Sequence, residues 1–207
     1  MVSSVARLRT PVMTSNAVEA STSLSALPIF PNRSLAISTL TIPPSGDRYV
    51  SLQLMDAWSN SFAVLGTRTT GNDGGVYTLV GPTEAAEGRN IVRAPTRHVW
   101  ALARILVDGP HDLDAAAMVQ GGFSAQGPQA TPAPEYAKRR DGWADYFASA
   151  DALMALNPPP ATDGAVLKRI APLGLGQGTF DAARFSEAEA AQIEAEVEEA
   201  RKAARGG

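Results

Sequence analysis

Between Arg48 and Trp58 the side chains alternate. Val50, Leu52, Leu54, Asp56 and Trp58 share one parity, and Tyr49, Ser51 and Gln53 the other. A period of two belongs to a strand with one face against a core, so the chain must build at least one sheet that is covered on one side. The same register puts a carboxylate, Asp56, among the apolar residues.

Neighbouring segments extend the pattern. Residues 35–42 are β-branched, and Pro43-Pro44-Ser45-Gly46-Asp47 supplies turn chemistry, which predicts a hairpin with the 48–58 strand. Phe62–Leu65 and Val76–Val80 read as strands separated by the tight reversal Asn72-Asp73-Gly74-Gly75. Ile91–Arg93 is a short strand. His98–Val107 is apolar on both parities, which reads as an interior strand of a two-layer arrangement, although a buried helix gives the same pattern over so short a run.

After Asp108-Gly109-Pro110 the period changes. Asp112 is placed to cap a helix running to Gly121, and residues 122–140, with three prolines, form a loop or linker. Trp143, Phe147, Ala150 and Met154 follow helical spacing over 141–156, and a shorter helix opens at Thr162 and Asp163. Ser186 and Glu189 make a capping-box pattern for the last helix. Its stripe, chiefly Ile193 and Val197, is narrow for its length and suits docking against another domain or chain.

The expected fold is therefore mainly β with α: an antiparallel β sandwich or meander followed by a helical C-terminal region. The expected divisions are an irregular lead-in over 1–34, a β-rich core over 35–121, a linker over 122–140 and helices over 141–207.

Composition narrows the chemistry. With no cysteine there are no disulfides, thiolate nucleophiles, iron–sulfur clusters or cysteine-bound zinc, and His98 and His111 are the only histidines. No metal or other cofactor is expected. A net charge of -3 with scattered basic residues gives no footprint for a phosphate backbone, so nucleic acid is not an expected partner. No stretch has the length and apolarity of a spanning helix, and residues 1–30 lack the apolar run of a secretory signal.

Several motifs in one order carry a family resemblance. They are Asp47-Arg48-Tyr49-Val50 through Asp56-Ala57-Trp58, then Gly66-Thr67-Arg68-Thr69-Thr70-Gly71, and Tyr77 through Gly81-Pro82. Pro95-Thr96 before Val99-Trp100 follows, then Arg104 with Val107-Asp108-Gly109-Pro110, and Asn157-Pro158-Pro159 after an aromatic helix. Over roughly residues 45–185 the chain resembles the bacterial family called domain of unknown function 1254. The resemblance implies a mainly antiparallel β domain with helices near its C-terminal end, often in exported or cell-envelope proteins, within chains that carry more N-terminal sequence and a second β-rich domain. It implies no reaction and no catalytic residues.

The residues themselves offer one candidate ligand site. Asp56 beside Trp58 on an apolar face needs a cationic or hydrogen-bonding neighbour, and Arg68 and Arg104 are the candidates. The Gly66–Gly71 segment adds the hydroxyls of Thr69 and Thr70 and the Arg68 guanidinium, groups that suit an anion, though it lacks the lysine and following helix of a phosphate loop. Each feature also has a structural reading, as a turn-capping carboxylate or a hydrogen-bonded β-turn. Trp58, Tyr77 and Trp100 could stack on a sugar ring or fill a core. His98 with Asp108, or His111 with Asp112 and Asp114, have no nucleophile beside them.

Two functions follow. The first is a noncatalytic β module that binds a small molecule or glycan near Asp56, Arg68 and Arg104, or that docks a partner domain. The second is an enzyme using carboxylates such as Asp56, Asp73 and Asp108, its site completed by an absent C-terminal domain. On either reading the chain is expected to expose apolar surface and to associate, as a homo-oligomer or with the absent β domain.

Overall fold

The structure, a computed structural model, describes the backbone of residues 19–24 and residues 38–127 and 135–204 in full. The remainder of the lead-in, the start of the first predicted strand at 35–37, residues 128–134 of the predicted linker and the final three residues lie outside the described residues. The chain divides into two compact units, Met1–Ala133 and Pro134–Gly207.

The first unit is built from two four-stranded sheets. One contains β1 (Glu19–Leu24), β7 (Val99–Leu106), β3 (Val50–Asp56) and β4 (Ser61–Gly66) in that order, all antiparallel. The other contains β6 (Ile91–Arg93), β5 (Gly75–Val80), β2 (Ser38–Ile42) and β8 (Ser124–Gln126), with β5 and β6 parallel and the other pairs antiparallel. A single apolar core draws on both: Leu40, Ile42, Tyr77 and Leu79 from one sheet, and Val50, Leu52, Leu54, Ala101, Ala103 and Ile105 from the other.

The β-strand at Val50–Asp56 follows from the alternation, and its core-facing residues Val50, Leu52 and Leu54 are almost wholly buried. The expected hairpin between β2 and β3 is corrected: the two strands belong to different sheets. Pro43 and Pro44 have no N–H to continue a ladder, and the chain instead crosses over, with the Ser45 amide donating to the Asn72 carbonyl at 2.9 Å. The return crossing uses Gly74, at φ +74°, where a Cβ would sit 2.5 Å from the Ile42 carbonyl oxygen. Two crossings therefore pass each other at a glycine.

Strand β7 is interior to its sheet, but only one of its faces is buried. Val99, Ala101, Ala103 and Ile105 point into the core, whereas Trp100 is 45% exposed and Leu106 51%. Helix α1 (Leu113–Gly122) follows as its pattern predicts, with one correction at its start. Asp112 occupies the N-cap position without a side-chain capping bond, because its carboxylate is held by the two terminal guanidinium nitrogens of Arg48 at 2.5 Å and by the Asp108 amide at 2.8 Å. Arg48 also donates to the Leu106 carbonyl, so one ion pair ties the ends of β3 and β7 to the start of α1.

The second unit holds α2 (Trp143–Leu156), α3 (Gly164–Ile170) and α4 (Glu187–Ala203), joined by short 3-10 turns. The capping box of α4 is formed, with the Ser186 hydroxyl accepting from the Glu189 amide and the Glu189 carboxylate accepting from Ser186. Trp143, Phe147, Phe180 and Phe185 pack edge to face or tilted, with centroids 5.8–6.5 Å apart.

Candidate functional site

Asp56 ends β3, and its surroundings are a turn. One carboxylate oxygen accepts from the Trp58 amide at 2.8 Å and the Asn60 amide at 2.9 Å, and the other from the Asn60 side chain at 3.3 Å. Ser59, at φ +64°, completes the reversal into β4. Asp56 is buried, and its partners are N–H groups of its own hairpin. Trp58 stands in this turn rather than on the strand.

Arg68 lies at the opposite end of β3. The Gly66 carbonyl accepts from the amides of Thr69, Thr70 and Gly71, the Thr70 hydroxyl accepts from the Gly66 amide, and the Val50 amide donates to the Thr67 hydroxyl. The amides of Thr69, Thr70 and Gly71 are thus spent in closing the loop. The Arg68 guanidinium sits over the Tyr49 ring at 5.4 Å.

Arg104 pairs across from Ser51, whereas Asp56 pairs across from Val99. Five residues of strand rise, about 17 Å, separate them, and they face opposite sides of the sheet. The structure therefore does not bring Asp56, Arg68 and Arg104 together. His98 and Asp108 stand at opposite ends of β7, and Tyr77 is buried in the core. Among the described residues no cluster of three or more His, Asp or Glu side chains could hold a metal ion.

What the sheet does gather is its outward face. Trp100, Leu102, Arg104 and Leu106 of β7 share it with Gln53 of β3 and Val64 of β4, while Ser51 and Met55 of β3 on the same face are buried. Arg104 donates to the Gln53 side-chain oxygen at 2.7 Å, and the Gln53 amide donates to the Ser61 hydroxyl, a polar rung between apolar neighbours. Val64 is 42% exposed, which with Trp100 and Leu106 makes three large apolar side chains open on one face. Sequence reasoning missed this face because β7 looked buried on both sides; the signal is that its second parity has no matching apolar partner strand.

A second buried carboxylate was also missed. Asp151 lies on the apolar stripe of α2, four residues after Phe147, and accepts from the Gly176, Gln177 and Phe180 amides at 2.5, 2.9 and 2.8 Å. Burial alone would raise its pKa, but these amides and that of Gly178 outweigh it and hold the carboxyl below its ordinary range. Glycines at positive φ, Gly174, Gly176 and Gly178, let the loop wrap it.

Residues 36–127 match a family described as "Protein of unknown function (DUF1254)". This segment spans β2 to β8; the motif resemblance, which runs to about residue 185, extends beyond it. No curated protein matches the chain. A crystal structure of the VPA0106 protein from Vibrio parahaemolyticus is similar in fold, with a TM-score of 0.68 and 16% identity over 90% of this chain and 47% of that one. The likeness is one of fold, and this chain spans about half the length of that structure.

Proposed function

We propose that the β unit is a noncatalytic module whose outward sheet face, which carries Trp100 and Leu106 toward the two ends of β7, docks a partner domain. The observation that supports this most is the exposure of Val64 on the edge strand β4 and of Trp100 and Leu106 on the interior strand β7, all on one face of one sheet. A surface of this kind costs free energy in water and is relieved by an apolar partner. That the similar solved chain is about twice as long favours a second folded domain as the occupant. The carboxylate-enzyme reading draws no support from Asp56, whose oxygens serve its turn. A cell-envelope setting, implied by the family resemblance, belongs to the same proposal.

One observation favours a second reading. Trp100 shares its face with the Arg104–Gln53 rung, from which Leu102 separates it along β7, and its ring is a platform on which a sugar could stack. Photo-crosslinking from Leu106 in the full-length chain separates the two. The docking reading expects cross-links to one folded polypeptide that binds the wild-type chain and fails to bind the Leu106→Lys variant. Cross-links only between copies of this chain, or saccharide quenching of fluorescence that disappears in Trp100→Ala, would replace it.

A further inference from the structure

The helical unit carries its own concavity, about 400 Å³, between α4 and the aromatic cluster. Phe147 and Phe185 form one wall with Leu173, and Ile193 and Val197 form the floor. The volume lies within the range of about 300–1,000 Å³ typical of small-molecule sites. The wall is stiff, because Phe147 meets Trp143 and Phe180 edge to face at 5.9 and 6.0 Å. The rim is acidic: Glu189 and Glu196 lie two turns apart on α4 and border the groove with Gln192.

The groove's own chemistry fixes the charge of what it suits. Glu189 is held below the ordinary carboxylate range by its hydrogen bonds to Ser186, so it is anionic at neutral pH. Glu194 and Glu199 on the same helix add to the negative potential, while Glu198 is paired with Arg201 at 2.5 Å. The aromatic wall already holds one cation, since the Arg184 guanidinium lies over the Phe185 ring at 5.3 Å. An anionic ligand would meet repulsion at the rim, and a neutral one would leave the Glu196 carboxylate unused.

We propose that this groove binds a small organic cation, a primary or quaternary amine on an aromatic or branched apolar body, with the body against Phe147, Ile193 and Val197 and the nitrogen at Glu189 and Glu196. The site lies wholly within the helical unit and is independent of the sheet face.

A charge series on one apolar body tests it with the full-length chain. Calorimetry with 1-naphthylmethylamine, 1-naphthylmethanol and 1-naphthylacetate is expected to rank the amine first, roughly tenfold tighter than the acetate. Glu196→Gln, an exposed change that spares the fold, should weaken the amine roughly threefold and leave the alcohol unchanged. Ala200→Phe, which fills the groove, should abolish binding of all three while circular dichroism stays native. Equal affinity across the series, no binding of the amine, or amine binding indifferent to both substitutions would overturn the proposal. A dimer that Ala200→Phe dissociates, with no amine bound, would give the groove to a second copy.

Discussion

Asp56 and Asp151 are each matched by backbone N–H groups, one in each unit, and each holds a turn that its neighbours cannot hold alone. Replacing Asp56 by Ala removes the carboxylate that accepts from the Trp58 and Asn60 amides and should lower stability by about 1–2 kcal/mol, read as a drop in denaturation midpoint. Asp151→Asn keeps one acceptor oxygen but turns a donor toward at least one of the amides, and should cost about 2–3 kcal/mol. The folded-state pKa of Asp151 is depressed, so its contribution is present above the unfolded value of about 3.8 and is lost as pH falls below it. Acid titration of the Asn variant should accordingly show a weaker loss of stability below pH 4 than the wild type; parallel curves would mean the loop does not depend on the charge. Asp56 was legible as a buried acid because strand parity is a strong signal, but periodicity names a face and not a partner, and both arginines assigned to it lie elsewhere. Asp151 was equally legible on the α2 stripe and went unread because helical spacing was counted over apolar residues only.

At the level of elements, short-range chemistry was transparent and long-range pairing was not. Ser186 and Glu189 lie three residues apart, so the cap of α4 is written locally, and Ser186→Ala should lower helix stability by about 1 kcal/mol, visible as faster amide exchange in the first turn. The proline turn after β2 was also recognised, yet it joins two sheets instead of closing a hairpin, because turn residues fix a reversal without fixing which strand receives the chain. Gly74 is where the crossings meet. Gly74→Ala must adopt a positive φ and push a methyl group against backbone, so it should destabilise by about 2 kcal/mol or more, whereas Gly46→Ala, with open space around its Cβ, should cost no more than the φ penalty of about 1 kcal/mol. Equal effects in thermal denaturation would remove the steric account of the crossing.

For the molecule as a whole, the two sheets draw on one shared core and still leave Val64, Trp100 and Leu106 in the open. The mainly β architecture with helices toward the C-terminus could be read from period changes along the chain. The exposed face could not, since exposure depends on what covers a strand, and that is set by elements far away in sequence or on another domain. The central claim is that this face is unfilled and takes an apolar partner. Its most direct measurement compares anilinonaphthalene sulfonate fluorescence of residues 1–207, taken without a partner domain, with that of a Val64→Lys, Leu106→Lys variant, alongside their melting temperatures. Docking predicts that the wild type binds dye, while the variant does not and melts at the same temperature. A dye-silent wild type, or a variant that melts well below it, would mean that the face is already packed within these residues and has no partner to receive.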